Sequence, residues 1–124
     1  MKQYALIFIT SVFTICVYGQ KNDPKAMTPD PNKKIMVVEA ACGECQFKLK
    51  GDDCDLAVRI DGKAYFVDGT NIDSHGDAHA KDGFCNAVRK AEVQGELVNN
   101  RFKVTYFKLL KSEEKKAAEI KQKN

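Results

Sequence analysis

Leu56-Ala57-Val58-Arg59-Ile60-Asp61-Gly62-Lys63-Ala64-Tyr65-Phe66-Val67 is the stretch that decides the fold. Leu56, Val58 and Ile60 alternate with Ala57, Arg59 and Asp61, the two-residue period of a strand with one buried face. Asp61-Gly62 tolerates positive φ and suits a two-residue hairpin. Lys63 to Val67 returns as the partner strand, and Asp68-Gly69 stops it. Upstream, Ile35-Met36-Val37-Val38-Glu39-Ala40-Ala41 reads as a strand ending at a cysteine. Downstream, Val93 to Val98 and Phe102 to Phe107 flank Asn99-Asn100, a second pair that accepts left-handed geometry. Between the hairpins alternation stops. Phe84, Ala87, Val88 and Ala91 fall at helical spacing, which predicts a helix near Asp82–Lys90 with Asp82 as its N-cap.

The element order is therefore strand, strand, strand, helix, strand, strand. It implies a mainly β domain with one short helix, an OB-like five-stranded small barrel. An open α+β sheet of the same elements is the alternative. Closure favours the barrel, because it removes the exposed edges of a small sheet. Such a fold does not by itself imply oligonucleotide binding. Tyr65, Phe66, Phe102 and Tyr106 are read as packing groups rather than stacking platforms.

The two ends read differently. Lys2 precedes an apolar run from Tyr4 to Val17, and Val17-Tyr18-Gly19 offers a signal-peptidase site. The run is about 14 residues, short of the ~20 that cross a bilayer as a helix. Residues 1–19 are therefore expected to be a signal peptide that takes Cys16 with it. No membrane span should remain after cleavage, and the protein is expected to be secreted or periplasmic. Residues 20–34 hold all three prolines among Asp, Asn and Lys and read as a flexible linker. Residues 35–110 form the cysteine-containing domain. Residues 111–124, rich in Lys, Glu and Ala, form a charged helical or disordered tail. The whole chain carries 20 basic and 17 acidic residues, net +3. That balance argues against nucleic acid as a partner.

Four cysteines remain after the leader: Cys42-Gly-Glu-Cys45, Cys54 and Cys85. In an exported chain an even number reads first as two disulfides, and sequence leaves the pairing open. A bridge closing a 15-residue loop contributes ~3 kcal/mol, useful to a core this small. The alternative is metal. Zinc takes cysteine and histidine in tetrahedral sets, and a C-x-x-C half-site supplies two ligands; copper(I) also suits thiolates. Cys42, Cys45, Cys54 and Cys85, with His75 or His79, are the candidate ligands. A weak surface site from His75, Asp77 and His79 is a variant. The third reading is thiol–disulfide exchange through Cys42 and Cys45. Its context is poor, because only Gln46 to Lys50 separates the motif from Gly51-Asp52-Asp53, too short for the helix that activates such a thiol. No Ser-His-Asp set, paired carboxylates or glycine-rich phosphate loop can be argued, so no catalytic residue is assigned.

The string Cys-Gly-Glu-Cys45 … Cys54-Asp-Leu-Ala-Val-Arg-Ile-Asp-Gly-Lys-Ala-Tyr65 … Gly76-Asp-Ala-His-Ala-Lys-Asp-Gly-Phe-Cys85 resembles a family of small exported bacterial proteins classed as a domain of unknown function. The likeness spans about Val37 to Phe107. It implies no activity and carries no site residues across. The sequence thus describes an exported, non-enzymatic binding or interaction module, fixed by two disulfides and needing no cofactor, with an undefined ligand or protein partner. The alternative is a zinc- or copper-binding protein.

Overall fold

Both hairpin turns form where the turn residues stand. Asp61 and Gly62 adopt φ of 50° and 82°, and Asn99 and Asn100 adopt 51° and 61°. These left-handed pairs give the turn a twist that matches the flanking strands. The computed structural model describes residues 27–123. The leader and the first part of the linker lie outside the described residues.

Five strands follow from the alternating segments: β1 (Met36–Cys42), β2 (Leu56–Ile60), β3 (Lys63–Asp68), β4 (Arg89–Val98) and β5 (Arg101–Leu109). They close into a barrel in the order β1-β2-β3-β5-β4, with β4 returning to β1. Four of the pairings are antiparallel. The fifth, β3 with β5, is parallel and joins Val67 to Phe102 and Asp68 to Lys103. This is the OB-like barrel that the element order implied, and the open sheet is not formed.

Closure depends on β4. Its first half pairs with β1, from Arg89↔Ala40 to Val93↔Met36, while Ala91 to Val98 pair with β5. A register shift at Gln94/Gly95 bends it between the two roles. A Cβ on Gly95 would meet the Lys103 carbonyl oxygen and lie 2.8 Å from Phe102 Cζ. Only glycine lets β5 approach that closely at the bulge. One apolar cluster fills the interior. It takes Val38 and Ala40 from β1, Leu56 and Val58 from β2, Val93 from β4, and Phe102 and Phe107 from β5.

The helix expected near Asp82–Lys90 is absent. Residues 81–86 are successive turns, held by Gly83 N–H to Ala80 O, Asn86 N–H to Gly83 O and Ala87 N–H to Gly83 O. The spacing of Phe84, Ala87, Val88 and Ala91 does not mark one face. Phe84 is buried in the barrel, Val88 is exposed, and Ala91 belongs to β4 opposite Val38. Tertiary pairing with β1 claimed Arg89–Ala91 for a strand, overriding local periodicity.

Two helices occur among the described residues. A single turn, α1 (Gly43–Gln46), follows β1 directly, and α2 (Ser112–Gln122) follows β5. The Glu114 side chain accepts the Lys111 N–H at 3.1 Å and starts α2. Ala118 on it is buried. Buried Gln94 accepts the Asp30 N–H at 2.8 Å and donates to Asp30 O at 2.9 Å and Lys33 O at 2.7 Å. Residues 30–33 are thereby tied to the barrel. Among the described residues, no helix is long and apolar enough to cross a membrane.

Candidate metal centre

The end of β1 delivers the first cysteine. Cys42 is fully buried, and its N–H donates to Phe84 O at 2.9 Å. The next N–H, of Gly43, donates to Asp55 O at 2.8 Å. Those two bonds bring the Cys85 loop and the Cys54 loop to the same strand end. The chain then turns through α1 instead of continuing as strand. Cys42 caps that turn, its Sγ accepting the Cys45 N–H at 3.3 Å. Gly43 is required by packing. A Cβ there would lie 2.6 Å from Phe66 Cε1 and 3.1 Å from Ala57 Cβ, so a side chain would lift the turn off β2 and β3. The last cysteine arrives on the turn-rich loop, where Cys85 N–H donates to Ala78 O at 2.9 Å and Gln46 Nε2 donates to Cys85 O at 2.8 Å.

The outcome is a knot of sulfur. The Sγ atoms of Cys42, Cys45, Cys54 and Cys85 all lie within 4.8 Å of one another. Four thiolates around zinc at ~2.3 Å stand about 3.8 Å apart, so the set needs little contraction to hold an ion. All four are free thiols here, graded in exposure: Cys42 buried, Cys54 and Cys85 half-buried, Cys45 exposed. Burial pushes the Cys42 thiol well above its ordinary value, with the neighbouring Cys45 adding to the shift. Burial, then the adjacent Cys54 thiol, pushes Cys85 up to about 11. Without a cation the buried members of the set are neutral. A cation among them reverses that preference, since a coordinated thiol gives up its proton.

The four cysteines expected to act together are brought together. Neither histidine joins them: among the described residues, the one group of three or more ligand-type side chains is these four sulfurs. His79 is exposed, and its N–H caps onto Asp77 Oδ1 at 2.9 Å. His75 lies over the Phe107 ring at 4.3 Å between centroids and edge-on to Phe84 at 6.4 Å, with Nε2 at 2.8 Å from Thr70 Oγ1. The surface site from His75, Asp77 and His79 is thus not assembled. Burial lowers the His75 pKa from the ordinary 6.5. As pH falls, the unfolded chain takes up that proton first, so His75 stabilises the fold above about pH 6.5 and progressively less below it. His75→Phe should remove this dependence. The difference in urea stability between the two proteins should be constant above about pH 7 and change on acidification; parallel profiles would show that the ring charges without cost.

One residue at the site carried no signal in the sequence. Glu44, the interior of the C-x-x-C spacing, accepts the Asp55 N–H at 3.1 Å and lies 3.5 Å from Cys42 Sγ through the same oxygen, Oε2. Its other oxygen, Oε1, is buried with no protein partner, directly over Gly51, where a Cβ would collide with it. Glu44 thereby fixes the loop that presents Cys54. Gly51→Ala should displace the carboxylate and destabilise the domain by about 1 kcal/mol, the worth of a hydrogen bond. Adding it to Glu44→Ala should then cost almost nothing further, in a double-mutant cycle read by urea unfolding. Full additivity would place the effect elsewhere.

No curated protein and no solved structure matches the chain. A family model described as "Family of unknown function (DUF6370)" matches residues 36–110, which runs from the first residue of β1 to just past β5 and includes all four cysteines. The chain belongs to that family.

Proposed function

We propose that this is a metal-binding domain working outside the cytoplasm, holding one soft ion, zinc above all, through Cys42, Cys45, Cys54 and Cys85. The observation that carries the reading is the mutual approach of four sulfurs from four separate segments: the end of β1, α1, the loop before β2 and the loop before β4. Four thiolates and no histidine make a closed tetrahedral set of the structural kind, without an open position for a substrate. The leader-like first 19 residues support the placement outside the cytoplasm. No enzymatic role is assigned. Thiol–disulfide exchange as a catalytic activity has little support: α1 is one turn long, and Cys42 is shifted away from thiolate.

The two-disulfide reading draws on the same convergence and has one observation in its favour. Cys42 and Cys45 bracket one turn, with the Cys45 N–H on Cys42 Sγ at 3.3 Å, which leaves Cys54 and Cys85 for each other.

The test is metal counting on the fully reduced full chain. Native mass spectrometry with added zinc should give one ion per chain, and cobalt in its place should give the absorption of a tetrahedral thiolate complex. A reduced chain whose cysteines all titrate as thiols and that takes up neither zinc nor copper(I) would end this proposal.

A further inference from the structure

We propose that the centre is also a redox-gated store: a disulfide oxidant discharges its ion by joining Cys42 to Cys45 and Cys54 to Cys85. This rests on the metal reading and adds what the ion's release would require. Three observations carry it. The four sulfurs are close enough to one another that the ligand set and the crosslinked set share one location. Their exposure is graded, so an oxidant meets Cys45 first and Cys42 last. Cys42 and Cys45 also bracket a single turn. The Cys45 N–H rests on Cys42 Sγ at 3.3 Å, which leaves Cys54 and Cys85 for each other.

The chemistry closes. The Cys45 sulfur attacks one sulfur of the oxidant, forms a mixed disulfide and expels a thiolate. Cys42 then attacks the Cys45 sulfur, completing the internal bridge and expelling the second thiolate. Cys54 and Cys85 repeat the sequence with a second oxidant molecule. Four thiolates lose four electrons, two disulfides of the oxidant gain them, and four protons from solvent leave the products as four small thiols. The ion has then lost every thiolate that held it. Each bridge spans only neighbouring segments, so the barrel keeps its shape while its affinity disappears.

The experiment titrates the zinc-loaded full chain with glutathione disulfide and follows free zinc with a chromophoric indicator. The expected result is loss of all bound zinc with four protein thiols consumed per ion, and full rebinding after a reducing dithiol. Peptide mapping of the oxidised chain should find Cys42–Cys45 and Cys54–Cys85 bridges. Zinc that stays bound at equilibrium with excess oxidant would overturn the inference while leaving the metal site standing. So would glutathione adducts on these four cysteines that never resolve, or a map joining Cys42 to Cys54 or Cys85. A reduced chain that binds no zinc at all would remove both.

Discussion

Cys54→Ser should abolish zinc-dependent stabilisation of the domain. In the wild-type chain the ion ties four segments together, and any ligand bound by the folded state alone stabilises it by mass action. At free zinc a thousandfold above the dissociation constant, that is about 4 kcal/mol. Cys54 is the cleanest site to remove. It is half-buried, its side chain makes no backbone hydrogen bond among those of the centre, and its N–H is held independently by Asp53 Oδ1 at 2.9 Å. Cys42 is the wrong choice, because its sulfur caps α1 and fills the core. The measurement is urea unfolding of both proteins, reduced, with zinc and with a chelator. The wild type should lose roughly those 4 kcal/mol on chelation, and the serine variant should show no difference between the two conditions. The remaining stability belongs to the barrel core. A wild-type curve indifferent to zinc would separate the centre from the fold.

How much of this was legible beforehand follows from range. The hairpins were legible because Asp61-Gly62 and Asn99-Asn100 carry their φ preference locally, and the alternation of Leu56, Val58 and Ile60 needs no partner to be seen. The barrel followed from element order and from the cost of open edges. The region from Gly69 to Val88 was not legible. Its internal hydrogen bonds run between turns a few residues apart, and its other partners are distant in sequence, as with Phe84 against Cys42 of β1 and Phe107 of β5, which a local window does not contain. The same limit hid His75. An aspartate-rich loop made it look like a ligand, whereas Phe84 and Phe107, distant in sequence, make it an aromatic packing group. The cysteines were legible as a set, and their convergence was not. It depends on the Gly43 N–H to Asp55 O and Cys42 N–H to Phe84 O bonds, which join positions 12 and 42 residues apart. Glu44 carries no local signal because its partners, the Asp55 N–H and the open face of Gly51, come from the next loop.

Phe84→Ala should destabilise the domain by about 3–5 kcal/mol, the usual cost of emptying a buried phenylalanine site, and should weaken zinc binding beyond what that loss explains. Phe84 is 3% exposed and packs edge-on to Phe107 at 6.4 Å between centroids. No helix supports this part of the chain, so the side chain is the anchor of the loop. Its own carbonyl accepts the Cys42 N–H, and the next residue is Cys85. Release of the ring therefore loosens two of the four sulfurs at once. Phe102→Ala is the control. Phe102 is buried to the same depth, at 1% exposed, yet it sits in β5 between Val67 of β3 and Leu97 of β4, and its backbone pairs with those strands rather than with the cysteine loops. The two variants should unfold at similar urea concentrations in chelator. Their zinc affinities, measured by competition under conditions where both are folded, should differ, with Phe84→Ala the weaker by roughly tenfold or more, the equivalent of about 1.4 kcal/mol. Equal affinities would mean that strand pairing and the backbone bonds of the turn, without the aromatic anchor, are enough to hold Cys85 in place.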